Sequence, residues 1–345
     1  MADRSLDIKE ITEVEMKKIN ISKRSAFFAA SLSVLVVAVV AAITALGFDQ
    51  CVFAAEVKPI VQKTFKSPEE AVKGLMDAVK SNDTKELLAI FGPAGKEIIS
   101  SGDEVADKAG RERFVKICEE MTKLEKETDN KVTLVVGKHD WPFPIPILKK
   151  GETWVFDTMA GKEELLNRRI GRNELNTIQT CLAYVDAQRE YAMKDRDSDK
   201  LREYARKFWS TKGKKDGLYW ETKEGEEQSP FGSVAARGIQ AGYAPTKPGD
   251  KSVPYYGYFF KILKAQGKNA PGGAYDYVIK GQMIGGFALV AYPAEYGASG
   301  IMTFIVNHDG VVYEKDLGKE TGKIARAMTK FDPDETWVRM EEQKK

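Results

Sequence analysis

The stretch GGFALVAYPAEYGASGIMTFIVNHDGVVYEKDLG, residues 285–318, decides the fold of this chain. In FALVAY the side chains of Phe287 and Leu289 fall on one face of an extended segment, and those of Ala288 and Val290 on the other. The run IMTFIV alternates in the same way, and the turn sequence NHDG leads from it into a third run. The pattern predicts antiparallel strands in which the aromatic side chains pack across neighbouring strands. The density of rings therefore builds a sheet rather than lining a binding site.

The segment before this sheet changes from helical to extended spacing. Ser67 and Pro68 carry the signals of a helix start, and apolar residues then recur with helical spacing as far as Leu124. Three extended runs follow, at 131–136, 143–149 and 152–158. We interpret residues 60–160 as an N-terminal domain in which helices pack on an antiparallel meander, similar to cystatin-like cones.

A long apolar stripe predicts a helix from near Gly161 to about Lys194, with Gly171 as a break or kink. The domain boundary is placed at this helix, so that residues 161–340 form a second domain in which the helix packs on the antiparallel sheet. Both domains combine helices with antiparallel strands, and the predicted fold class is α+β.

The N-terminus carries an apolar run at 26–48, and a bilayer span requires about 20 such residues. Basic residues precede the run, which favours translation from Met16 over Met1 and resembles a secretory signal. Ala54 and Ala55 flank the predicted cleavage site. We therefore expect an exported protein, periplasmic or secreted; the alternative is an uncleaved anchor in the inner membrane. Residues 1–54 form this extension and leader.

Composition excludes some classes of partner. The chain has 53 basic and 51 acidic residues and a net charge of +2, so we expect no nucleic-acid partner and no membrane contact except through 26–48 if it is uncleaved. Beyond the leader, the cysteines are Cys118 and Cys181, each on an apolar helical stripe. An oxidising compartment permits a disulfide between them, and buried free thiols are the alternative.

Several long motifs carry a family resemblance over about residues 67–338. They are RRIGRNELNTIQTCLAYVDAQREYA, KDGLYW, PYYGYFFKIL, APGGAYDYV and the stretch at 285–318. They resemble the bacterial exported family called domain of unknown function 2950 (DUF2950). This resemblance implies no activity and no catalytic residues. The C-terminal half also resembles the globular domains of type IV pilin-like and pseudopilin-like proteins, although here a whole domain separates the apolar segment from the long helix.

The best polar-aromatic cluster for a small ligand lies in the N-terminal domain. Two predicted neighbouring strands supply the cluster, and it could line a pocket at the mouth or wall of the cone. The predicted ligand-binding residues are Trp141, Phe143, Trp154, Phe156 and Asp157. Packing of these rings in the core or a lid is the alternative interpretation.

Calcium is the only cofactor that the sequence suggests. Asp195, Asp197, Asp199 and Glu203 follow the start of a calcium-binding loop. The glycine and the bidentate glutamate of the full pattern are replaced by Lys200 and Arg206, so a solvated loop without metal is the alternative.

Three functions remain open. The first is a non-catalytic module of the cell envelope that binds an envelope protein partner or forms an assembly. The second is a small-ligand-binding protein that uses the N-terminal domain. The third is a hydrolase of envelope polymers, although the sequence shows no recognisable catalytic constellation.

Overall fold

A computed structural model describes residues 61–196, 199–243 and 253–340. They belong to a unit that runs from Ile60 to Lys345. The predicted leader at 1–54, including the apolar run at 26–48 and the cleavage site at Ala54 and Ala55, lies outside the described residues. Within the described part, no helix combines the length and apolarity that crossing a membrane requires.

Seven α-helices lie within those ranges. They are α1 Pro68–Lys80, α2 Thr84–Phe91, α3 Lys96–Ile99, α4 Glu104–Glu120, α5 Thr158–Tyr191, α6 Gly232–Gln240 and α7 Thr321–Ala327. Short 3-10 turns at Pro93–Gly95 and Gly318–Glu320 precede α3 and α7.

The strands of the described part fall into two halves of the chain. The first half has β1 Thr122–Thr128, β2 Lys131–Val136, β3 Trp141–Pro142, β4 Ile147–Lys150 and β5 Thr153–Phe156. The second half has β6 Tyr258–Leu263, β7 Ala265–Gln266, β8 Tyr275–Asp276, β9 Val278–Ile279, β10 Gln282–Met283, β11 Ala288–Pro293, β12 Met302–Asn307, β13 Val312–Asp316, β14 Lys330–Phe331 and β15 Val338–Arg339.

The first half packs helices on one face of an antiparallel sheet with the order β1-β2-β4-β5, in which β3 also pairs with β2. Ser67 caps α1 by accepting a hydrogen bond from the N–H of Glu70, and Pro68 opens the helix as predicted. The buried face of α1, which includes Ala71 and Leu75, joins a hydrophobic cluster that contains Leu134 of β2. We call this cluster the first core.

Two predictions in this half are wrong. The third helix ends at Glu120, and Leu124, which was assigned to it, lies in β1. Strand β1 pairs with β2 and is almost wholly exposed, so its side chains carry no apolar alternation that the sequence could have shown. The run predicted at 143–149 is extended strand only from Ile147, because prolines before it cannot donate to a ladder.

Helix α5 joins the two halves. It runs without a break from Thr158 to Tyr191, so Gly171 does not end it. Leu165, near its start, packs against the first core, and Tyr184 and Val185, near its end, belong to a second hydrophobic cluster, which we call the second core. One helix therefore contributes to both cores, and the proposed division into domains at 160/161 stays a prediction.

The second half contains a five-stranded sheet with the order β15-β13-β12-β11-β6. Strand β11 is buried along its whole length, since α5 covers one face of the sheet and α7 packs against the other. The turn after β12 is the predicted hairpin: the N–H of Gly310 donates to the carbonyl of Asn307 at 2.9 Å, and Gly310 has φ +83°. This sheet is the one that the 285–318 stretch predicts.

The predicted α+β class is confirmed, because helices pack on sheets whose ladders are antiparallel apart from the parallel pair β14–β7. The comparisons of the first half with a cystatin-like cone and of the second half with pilin-like domains stay predictions.

Candidate functional site

The helices that pack on the second sheet do not cover the whole of its edge strand, β6. Helix α5 packs against β11, β12 and β13. On the face that bears Tyr258, the next outward-pointing residues of β6 are Phe260 and Ile262, and both are only half-buried. Helix α6 stands beside this uncovered edge, and a cavity remains between α6 and the strand. We call this cavity the aromatic pocket.

The aromatic pocket has a volume of about 480 Å³. Its walls come from α5, the segment before Ser210, α6, the segment before β6, and β6 itself. The lining residues are Thr180, Arg206, Lys207, Phe208, Trp209, Phe231, Val234, Ala235, Gly238, Ile239, Tyr243, Val253, Pro254, Tyr255, Phe260 and Ile262. Most are apolar or aromatic, and none carries a carboxylate, an imidazole or a thiol. The lining therefore suits an apolar molecule and offers no recognisable general base.

Gly238 allows α6 to approach the pocket closely. A Cβ at this position would lie 2.9 Å from a ring carbon of Tyr255, which is shorter than van der Waals contact allows. Val234 and Ala235 lie near Gly238 along the same helix and are buried. The small side chains of this face therefore set the distance between α6 and the tyrosine.

The rim of the aromatic pocket is apolar and exposed. Ile239 is 46% exposed and Val253 is 47% exposed, and both line the cavity. Large apolar side chains at the rim of an apolar cavity stay in water unless a ligand or partner covers them. The entrance of the cavity therefore presents apolar side chains next to its apolar lining.

Tyr243 connects the pocket wall to the first half of the chain. Its hydroxyl donates to Asp103 at 2.8 Å, and the N–H of Gly257 donates to the same carboxylate at 2.7 Å. Asp103 also caps α4 through the N–H of Ala106 at 3.0 Å. Burial raises the pKa of the Asp103 carboxyl, and these three donors act in the opposite direction. This fully buried carboxylate fixes the position of Tyr243 and of the turn that leads into β6.

The residues predicted to bind a ligand in the first half mostly pack against one another. Phe143 and Phe156 are buried in the first core, and the Trp141 and Phe143 rings meet edge to face at 6.1 Å. Trp154 is partly buried and packs against the same core. Asp157 begins α5 without a side-chain capping bond.

A second, more polar groove of about 360 Å³ lies beside these rings. Of the predicted ligand residues it includes only Phe143, and charged residues such as Glu164 and Arg168 share its lining. The structure therefore does not bring the predicted set together around one cavity.

The carboxylates predicted to bind calcium have other partners. Asp195 accepts the N–H of Lys200 at 2.9 Å, and Asp199 accepts the N–H of Leu201 at 2.8 Å. Asp197 lies outside the described residues. Across the described ranges, no group of three or more acidic, histidine or cysteine residues, Glu203 included, is placed to hold a metal ion.

The two cysteines do not form a disulfide in the structure. Both Cys118 and Cys181 are free and buried, and they belong to the first and second cores respectively. Burial raises the pKa of the thiol to about 11 for Cys118 and to about 12 for Cys181.

Sequence reasoning did not find the aromatic pocket. Its lining is drawn from five separate segments between Thr180 and Ile262, and no motif links them. The signals that were present are the aromatic density at 255–260 and the small-residue spacing around Gly238, and both are equally typical of ordinary packing.

The family model described as "Protein of unknown function (DUF2950)" matches residues 62–340. This match covers most of the chain, and the chain belongs to that family. No curated protein matches it. No solved structure matches it either, so the likeness to pilin-like domains gains no support.

Proposed function

We propose that this chain is a non-catalytic binding protein that takes a small apolar molecule into the aromatic pocket. The observation that carries the proposal is the cavity of about 480 Å³ between α6 and the uncovered edge strand β6. Ligand pockets in proteins typically occupy about 300–1,000 Å³ and are lined mainly by apolar and aromatic side chains. Both the size and the lining of this pocket agree with that class.

Export to the cell envelope is part of the proposal. Its support is the sequence of the leader, in which basic residues precede the apolar run at 26–48 and small residues at Ala54 and Ala55 follow. A leader joined to a binding unit is what we expect of a protein that meets its ligand outside the cytoplasm. Such a protein is periplasmic, secreted or anchored in the inner membrane.

The two other functions stay hypotheses. Hydrolysis of a glycosidic bond in an envelope polymer typically uses a pair of facing acids, and no acidic residue among the described ones lines the aromatic pocket. For an envelope protein partner, exposed apolar side chains stand at the rim of this pocket and also on α5, where Leu175 is 59% and Leu182 is 43% exposed.

The proposal is tested by titrating the protein with N-phenyl-1-naphthylamine, an uncharged apolar probe whose fluorescence rises in apolar surroundings. The first variant is Ile239→Gln, which replaces an apolar rim side chain. We expect its affinity for the probe to fall about 5- to 10-fold, since an apolar contact of this size contributes roughly 1 kcal/mol.

The matched control is Ile279→Gln. Ile279 is 45% exposed, almost the same as Ile239, and lies in β9 away from the pocket lining. We expect its affinity to equal that of the unmodified protein. Equal losses in both variants, or no saturable probe binding at all, would show that the aromatic pocket is not the binding site.

A further inference from the structure

The polar side chains of the aromatic pocket fall into two groups, those with a hydrogen-bond partner inside the protein and those without. Three hydroxyls and the ammonium group of Lys207 have such partners. The Thr180 hydroxyl donates to the carbonyl of Asn176 at 2.8 Å, and the Tyr255 hydroxyl to that of Val234 at 3.3 Å. The Tyr243 hydroxyl donates to buried Asp103, as described above. The protons of these three hydroxyls are therefore engaged inside the protein and are not free to donate to a ligand.

Lys207 is also neutralised within the protein. Its ammonium group donates to Asp216 at 2.8 Å and to Thr211 at 2.6 Å. The charge of Lys207 is thus paired at the pocket wall.

Two polar side chains of the lining remain without a partner among the described residues, and both are hydrogen-bond donors. The guanidinium of Arg206 forms no ion pair or hydrogen bond there, and neither does the indole N–H of Trp209. Arg206 is exposed and adjacent to the apolar lining. Guanidinium has five N–H groups and no acceptor, so a ligand group that replaces water at Arg206 has to supply hydrogen-bond acceptors.

We propose that the aromatic pocket binds an anionic amphiphile, a molecule with an apolar tail and a single carboxylate or phosphate head, with the head held by Arg206 at the entrance. This inference rests on the proposed function and names its ligand class. The tail would occupy the space between Phe260 and α6. The unpaired cation supplies the charge complementarity, because no acidic residue of the lining competes with an anionic head.

The test compares ligands that share one ten-carbon tail and differ in the head: decanoate, decyl phosphate, decanol and decylammonium. Each displaces N-phenyl-1-naphthylamine from the protein at low ionic strength and below its micelle concentration. We expect the two anions to displace the probe at about tenfold lower concentration than decanol, the size of effect that charge-assisted hydrogen bonds produce. Decylammonium should bind more weakly than decanol. The ratio of the concentrations at which decanoate and decyl phosphate displace the probe distinguishes a fatty-acid ligand from a phosphate-headed lipid.

The decisive variant is Arg206→Gln, with Arg202→Gln as its matched control. Arg202 is equally an exposed arginine of the same segment, but it does not line the pocket. Arg206→Gln should raise the concentrations of decanoate and decyl phosphate that displace the probe to that of decanol, and it should leave the value for decanol unchanged. Arg202→Gln should change neither the values for the anions nor that for decanol. A Trp209→Phe variant, which keeps an aromatic ring without the N–H, should reduce anion affinity a few-fold.

Two failures are distinguishable. If decanol displaces the probe as well as decanoate does, or if the two arginine variants behave alike, the anionic head is refuted and the apolar binding site stands. If no alkyl compound displaces the probe and the probe itself does not saturate, both the inference and the proposed function are overturned.

Discussion

The two halves of this molecule use aromatic side chains in different ways. In the first half, Phe65 and Phe91 meet Phe156 at centroid distances of 6.4 and 5.4 Å, and the rings fill the space between helices and sheet. In the second half, Phe260 and Tyr255 stand at a distance of 6.4 Å beside a cavity of about 480 Å³. Both halves are rich in rings, so aromatic content alone does not decide whether a core closes.

The difference follows from how the helices cover the sheets. Helices α1, α2 and α4 contact strands of the first sheet, so that its core side is shielded. The second sheet has α5 over its centre, and its edge strand β6 faces α6 only across a gap. An edge strand with one open face is where a ligand can add contacts that the chain does not supply.

The largest expected effect compares a ring in the closed core with a ring at the open edge. Phe156 is fully buried, and Phe156→Ala should lower the free energy of unfolding by about 3–5 kcal/mol, since it leaves a cavity in a packed core. Phe260 is half-buried beside an existing cavity, and Phe260→Ala should cost about 1–2 kcal/mol. Urea unfolding followed by circular dichroism measures both.

Equal losses in the two variants would mean that the second core is as tightly filled around Phe260 as the first core is around Phe156, and that no open edge distinguishes the two halves. The Phe156→Leu variant, expected to lose about 1 kcal/mol, keeps the comparison measurable if the alanine variant does not fold.

The next effect concerns the contact that joins the halves. Asp103→Ala removes the acceptor of three donors, two of which belong to the second half, and leaves them without their partner. We expect a loss of about 3 kcal/mol in the free energy of unfolding. Asp83→Ala is the matched control, because Asp83 caps α2 on the surface and, among the described residues, its side chain accepts hydrogen bonds only from the N–H groups of Lys85 and Glu86 in that helix. It should lose about 1 kcal/mol.

If the two aspartate variants lose the same amount, Asp103 acts only as a helix cap and contributes nothing to the junction of the halves.

The cysteines report on the two halves separately. Cys118 lies in the first core and Cys181 in the second, and burial raises the pKa of each thiol, to about 11 and about 12. We expect no alkylation of either thiol by iodoacetamide in the folded protein at pH 8, because the thiolate is the reactive species. In rising urea both should become reactive at the same concentration, since α5 contributes to both cores.

Peptide mapping by mass spectrometry identifies which cysteine is modified. Modification of one thiol at a clearly lower urea concentration would show two independently unfolding domains, as the predicted boundary at 160/161 requires.

The smallest effect is a pH dependence in the second half. Lys194, Arg196 and Lys215 donate hydrogen bonds to Glu227 and lower the pKa of its carboxyl from its ordinary 4.5 to about 2. A carboxyl whose pKa is lower in the folded state stabilises the fold above pH 4.5, and this contribution is lost as the pH falls towards 2. Because the cluster is partly exposed, each ion pair of Glu227 contributes about 0–1 kcal/mol to the free energy of unfolding.

The melting temperature of Glu227→Gln should therefore lie below that of the unmodified protein at pH 6, and the gap should close between pH 4.5 and pH 2. Glu224→Gln, a change at an exposed carboxylate without an ion pair among the described residues, should show no such gap. A gap that stays constant with pH would exclude the charge of Glu227 as its cause.

Much of the fold could be predicted from local patterns. The alternation in FALVAY and IMTFIV gave the central strands, and Asn307 to Gly310 gave their turn. Strand β1 could not be predicted, because its exposed side chains show no apolar alternation. The predicted ligand cluster was placed on Trp141 and Phe143 because aromatic residues near an expected cone look alike whether they line a cavity or fill it.

By itself the sequence determined the α+β class, the membership of the DUF2950 family and the central sheet, since each depends on residues that are close together along the chain. Tertiary structure alone decided where a cavity remains. The aromatic pocket depends on α5 crossing the centre of the sheet and on α6 stopping short of β6, and its one unpaired cation, among the described lining residues, is Arg206. Such coverage arises from the packing of distant segments, and no single stretch of the chain encodes it.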